Sequence, residues 1–112
     1  MNTYTPDTWS ILLFDSPTYG KIHKVFGGWY GGFTQGDSWK LSSGIKTFVN
    51  EGKFYSSLQE SGSTYNLYKQ AEKLSGYQHG LLNVWREQLD EVQGSVLVVD
   101  SLDFIKGLKY DL

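Results

Sequence analysis

Apolar positions follow two different periods along the chain, and the switch between them divides it. Residues 8–14 (TWSILLF) are almost continuously apolar and stop at Asp15, Ser16, Pro17 and Gly20, which supply turn chemistry and a missing backbone donor. A strand with no polar face is buried on both sides, so this segment is expected at the centre of a sheet. Residues 21–26 (KIHKVF) follow at hairpin distance, with Ile22, Val25 and Phe26 as inward positions and His23 outward. Trp39 and Leu41 then alternate with polar neighbours, and Ser43-Gly44 reads as either a turn or a bulge before residues 45–49. Asn50-Glu51-Gly52 lies between IKTFV and KFYSSL, the length and glycine placement of a short hairpin loop closed by a bulge. Residues 59–63 (QESGS) repeat that logic before TYNLY, residues 64–68.

From Ser75 the period lengthens to that of a helix. Tyr77, Leu81, Trp85 and Leu89 recur every four residues, Leu82 and Val92 widen the stripe, and Arg86, Glu87, Asp90 and Glu91 face away. Ser75-Gly76-Tyr77-Gln78 fits a capping box, and Gly94 is placed to end the helix. Residues 95–100 (SVLVVD) read as a last buried strand, and residues 101–112 as a short helical or irregular tail carrying Leu102, Phe104, Ile105 and Leu108. The expected fold is α+β. A strongly curved antiparallel sheet of about six strands packs on one C-terminal amphipathic helix, residues 75–92, and a final strand follows, all in a single domain spanning 1–112.

Composition narrows the chemistry. With 39% hydrophobic, 20% charged and 16% aromatic residues in 112, the chain is globular and large rings fill its core. It has no cysteine, which excludes disulfides, thiolate nucleophiles and cysteine zinc sites. The net charge of −2 is uneven: residues 1–74 carry +1 and residues 75–112 carry −3. One arginine, Arg86, is too few for a duplex-reading surface. The longest apolar runs, 11–14 and 96–99, are strand-sized and the start lacks a basic leader, so neither export nor membrane spanning is expected, and the location expected is the cytoplasm.

Candidate chemistry concentrates at residues 27–33, where four glycines surround Trp29, Tyr30 and Phe33 and bare the backbone next to large rings. Such a segment suits stacking of a base or sugar, with glycine amides open to phosphate and Trp39-Lys40 close by. The competing reading is a bent strand whose rings cover its own glycines. Trp29, Tyr30, Phe33, Trp39 and Lys40 are therefore the expected ligand- or partner-binding residues. There is no GxGxxG, GxxxxGK[ST], GxSxG, SxxK or HExxH sequence, and His23 and His79 stand far apart. Asp15, Asp37, Asp100 and Asp103 each sit at a turn, where aspartate bonds its own backbone. No catalytic residue, metal or cofactor is expected.

Two stretches, GGWYGGFTQGDSWKLSSGI (27–45) and YNLYKQAEKLSGYQHGLLNVW (65–85), carry a resemblance. They are similar to a family of small uncharacterised proteins encoded by tailed bacteriophages, in which a W-Y-G-G segment precedes S-W-[KR]-[LM]-x-S-G-I and a Y-x-x-x-K element leads into a serine-capped helix. That family has no assigned activity. The resemblance implies a phage origin and action in the bacterial host cytoplasm. The function expected is that of a non-enzymatic accessory protein binding a host or phage macromolecule, first a protein. The alternative is a binder of a small ligand, nucleotide or single-stranded nucleic acid through residues 27–33.

Overall fold

Residues 8–14, almost continuously apolar, become an inner strand of the middle layer. The computed structural model describes residues 2–32 and 36–110, with backbone alone for 109 and 110. In chain order the elements are β1 (Thr3–Tyr4), β2 (Thr8–Ser16), β3 (Gly20–Trp29), β4 (Ser38–Leu41), β5 (Ile45–Asn50), β6 (Phe54–Gln59) and β7 (Thr64–Tyr68). A 3-10 turn (Lys69–Ala71) leads to α1 (Gly76–Asp90), β8 (Ser95–Val99) and α2 (Ser101–Tyr110). The central sheet has the order β4-β3-β2-β8 and the outer sheet the order β1-β7-β6-β5.

β2 pairs antiparallel with β3 on one side and with β8 on the other. Its odd positions Trp9 and Ile11 join Val25, Tyr55, Tyr65, Leu67 and Phe104 between the sheets. Its even position Leu12 joins Phe26, Leu82 and Val96 beneath α1. Alternation along a strand sends neighbours to opposite faces, so an unbroken apolar run is what two cores require. Trp9 is fully buried and donates its Nε1–H to the Tyr68 carbonyl at 2.7 Å. Removing such a ring from water contributes about 4–6 kcal/mol before entropy.

The α+β class and the mainly antiparallel pairing agree with expectation, but the single curved sheet does not. Among the described residues there are two four-stranded sheets, neither strongly curved nor closed, and two helices. The chain changes sheets at Ser42–Gly44: the Ser42 amide donates to the Val25 carbonyl in the central sheet, and the Gly44 carbonyl accepts from Glu60 in the outer one, both at 2.9 Å. Gly44 has φ 149°, and a Cβ there would lie 2.9 Å from Ile22 Cδ1, so the crossing needs glycine. Period-2 alternation reveals which face of a strand is buried and is blind to which strand pairs with it. The β5-β6 hairpin forms where expected, with Asn50 Oδ1 accepting from the Gly52 amide at 2.9 Å. Its bulge falls at the far end, between Ile45 and Thr47.

α1 begins with the expected capping box: Ser75 Oγ accepts from the Gln78 amide at 3.2 Å, and Gln78 Oε1 accepts from the Ser75 amide at 3.1 Å. Its inward stripe is rotated from expectation. Gln78 and Leu82 are the buried residues, with Leu81, Trp85 and Leu89 packed beside them, while Tyr77 and Val92 are exposed. The helix also ends differently. Gly94 donates to the Leu89 carbonyl at 2.8 Å and Gln93 to the Asp90 carbonyl at 3.1 Å, the two bonds of a Schellman motif, and the left-handed residue is Gln93 at φ 60°. Gly94 serves close packing instead, because a Cβ there would lie 3.0 Å from the Asp15 carbonyl oxygen. The expected helix thus loses its last two residues, ending at Asp90. The tail is a regular helix, begun by Asp100 Oδ1 accepting from the Leu102 amide and by Glu72 accepting from both the amide and hydroxyl of Ser101.

Candidate functional site: a cleft beside β4 and an open edge at β8

The glycine-rich segment has its backbone already occupied. Gly27 and Gly28 are buried residues of β3, paired with Trp9 and Thr8 on one side and with Lys40 and Trp39 on the other. A Cβ on Gly28 would stand 2.6 Å from Cδ of Gln78, and one on Gly27 3.1 Å from Pro6 Cβ. Gly28 is therefore the space that the buried capping glutamine fills. Further along, the Tyr30 amide donates to Asp7 Oδ2 at 2.9 Å and the Gly31 amide to Asp37 Oδ1 at 3.4 Å. The protein's own carboxylates take the amides that a phosphate would need, and their charge opposes one.

Alternation sends the expected aromatic residues to different layers. Trp29 is half-buried on the outer-sheet side of β3, edge-on to Tyr4 at 6.3 Å, with Nε1 donating to the Thr5 carbonyl at 3.1 Å. Trp39 lies opposite Gly28 and packs on the helix side, edge-on to Trp85 at 5.2 Å and to Phe26 at 6.2 Å. Tyr30 is exposed and lines neither cleft described next; Phe33 lies outside the described residues. Trp29, Trp39 and Lys40 do meet at one place. With Thr3, Tyr4, Thr5 and Ser38 they line an open cleft of about 480 Å³ around the β4 edge. Lys40 Nζ sits 4.9 Å from the centre of the Tyr4 ring, within cation–π range.

On the other side of that Lys40–Tyr4 contact a second hollow, of about 350 Å³, opens between the sheets. Its wall includes Ser42, Gln59, Ser61, Ser63 and Tyr65. Burial, and secondarily the neighbouring Tyr4, push the Tyr65 phenol above its usual pKa, so it stays protonated at neutral pH. Pattern alone does not single out Gln59, yet a signal exists. Gln59 shares its phase on β6 with Tyr55 and Ser57, so it is a polar residue on the buried face.

β8 is the third notable feature. Among the described residues it ends the central sheet and pairs through β2. The other sheet ends are blunted: β1 has two residues, β4 has four and carries Lys40, and β5 carries Lys46 and the bulge. β8 reads SVLVV, without charge or proline, and Leu97 and Val98 are 56% and 46% exposed, with Val92 and Leu102 also exposed nearby in sequence. Arg86 reaches the Val96 carbonyl by a long 3.5 Å bond. With Glu87 and Asp90 it borders a groove of about 410 Å³ along Gly94–Val96.

Among the described residues no three His, Cys, Asp or Glu side chains gather as a metal site. Asp37 and Asp100 accept from backbone amides, as turn aspartates do. His23, expected outward, is half-buried with its ring 4.9 Å from Phe104, and His79 is exposed. No helix among the described residues is long and apolar enough to cross a membrane. No protein-family model, curated protein or solved structure matches the chain.

Proposed function

We propose that this is a non-enzymatic accessory protein, of phage origin by its resemblance, that binds a host or phage protein by accepting an extended segment along β8. The observation that carries this reading is the contrast among the sheet ends of the described residues: three are short, charged or bulged, and β8 is uncharged and apolar, with Arg86 making one long bond to its Val96 carbonyl. An open edge offers a ladder of backbone donors and acceptors, and exposed Leu97 and Val98 supply the apolar contacts that a strand-addition partner uses. Glu87 and Asp90 beside the groove, in the half of the chain that carries −3, select a segment that alternates apolar and basic residues.

Affinity capture from phage-infected cell lysate tests this, with Leu97→Lys and Val98→Lys as the discriminating variants. Both side chains are exposed, so neither substitution should unfold the protein. A stoichiometric protein partner is expected, lost in either variant, with slowed hydrogen exchange at residues 95–99 in the complex. Capture indifferent to both lysines, or a co-purifying small molecule with no protein, overturns the reading. Self-association blocked by the same substitutions would replace the foreign partner with a second copy.

A further inference from the structure

We propose that the hollow between the sheets, walled by Lys40, Ser42, Gln59, Ser61, Ser63 and Tyr65, binds a monosaccharide-sized polyol carrying one anionic group. The inference is independent of the β8 edge. It starts from Gln59, whose side chain is 1% exposed. Its Nε2 donates to the Ser57 carbonyl at 3.0 Å and to Ser57 Oγ at 2.9 Å, which uses both amide hydrogens. Its Oε1 is buried and receives no hydrogen bond. A buried carbonyl oxygen without a donor is rare, and the residue that carries this one lines a hollow of about 350 Å³, at the small end of ligand sites.

The wall defines the ligand's chemistry. Gln59 Oε1 lacks an N–H or O–H donor, and serine hydroxyls, which donate and accept, line the same wall, so a ligand rich in hydroxyls suits this lining. No acidic residue among the described residues lines the hollow. Its cations are Lys40, at the mouth over Tyr4, and Lys24, whose ammonium lies over Phe14. Lys40 is thus the charge positioned to meet a phosphate or carboxylate, and Tyr4 fixes it there. Ser42 Oγ already accepts from the Val25 amide at 2.8 Å and Ser43 Oγ from the Ser61 amide at 2.9 Å, which hold the wall in shape before any ligand arrives.

Two-dimensional ¹H–¹⁵N NMR titration of the full chain tests the proposal, using glucose 6-phosphate and gluconate, with glucose and inorganic phosphate as the separated halves. Saturable shifts are expected at the Gln59 side-chain amide and at Ser61, Ser63 and Tyr65. The complete anionic sugars should bind at least about tenfold more tightly than either half. Lys40→Ala, on an exposed side chain, should weaken binding by about tenfold with an unchanged free-protein spectrum elsewhere. Ser63→Ala serves as a second variant with the same expectation. No saturable shift up to about 10 mM with any probe, or shifts indifferent to both variants, overturns the site.

Discussion

Two glutamines are buried among the described residues, and they are buried differently. Gln78, on the helix side of the central sheet, accepts from Thr8 Oγ1 at 2.5 Å and from the Ser75 amide at 3.1 Å, and donates to the Phe26 carbonyl at 3.3 Å. One side chain caps a helix and pins it to β2 and β3. Gln59, between the sheets, spends both amide hydrogens on Ser57 in its own strand and leaves its oxygen without a donor. A buried amide whose oxygen and nitrogen both find partners in the chain is architecture, and Gln59 has a partner only at its nitrogen. Space tells the same story, since Gly28 is emptied to seat Gln78 while Gln59 borders an open hollow.

The largest expected effect breaks the architectural side. Gln78→Ala should cost about 3 kcal/mol in urea unfolding, because it removes half of a capping box and orphans a buried hydroxyl and carbonyl. Gly28→Ala comes next, at about 2 kcal/mol, since its Cβ would force the Gln78 amide off its partners. In a Gln78→Ala background the same alanine should cost less than about 0.5 kcal/mol, and strict additivity would show that glycine and glutamine are not coupled. Gln59→Met should cost under about 1 kcal/mol, because it trades two local donors for the loss of an unmet acceptor. A penalty matching that of Gln78→Ala would erase the contrast.

The smallest effect belongs to Tyr65, on the wall beside Gln59. Its folded pKa is raised above the ordinary phenol value, chiefly by burial, so the folded state keeps the proton that the unfolded chain releases. That contribution is complete below about pH 10 and is lost as pH climbs toward the folded value. Tyr65→Phe should therefore flatten the alkaline fall of stability and leave its slope at neutral pH unchanged, as chemical denaturation across pH 8–11 would reveal.

How far these features were legible in sequence follows from the range of the interactions behind them. The capping box is a local pattern, so Ser75 and Gln78 announce it, and the apolar run of residues 8–14 announces a central strand because burial on two faces leaves no polar phase. The β5-β6 hairpin is likewise written in Asn50 and Gly52. What stays hidden is long-range register. Trp39 falls opposite Gly28, which places it on the helix side and apart from Trp29, and nothing within either segment encodes that pairing. The same holds for Gly28 itself, whose reason lies fifty residues away in Gln78. Of the expected binding residues, Trp29, Trp39 and Lys40 border one cleft, whereas the open edge of β8 emerges only once the strand order is known.

The arrangement of β2 has a consequence in time. Its first neighbour, β3, follows at once, but its second, β8, is separated from it by most of the chain, from Ser16 to Ser95. At about 5–20 residues per second, roughly 80 residues take a ribosome about 4–16 s to add. Throughout that interval the most apolar strand of the protein has one bare side, and α1 emerges before the strand that completes its platform. Nascent chains of this protein spend seconds in need of a temporary companion, and crowded synthesis at high expression is when they would find the wrong one.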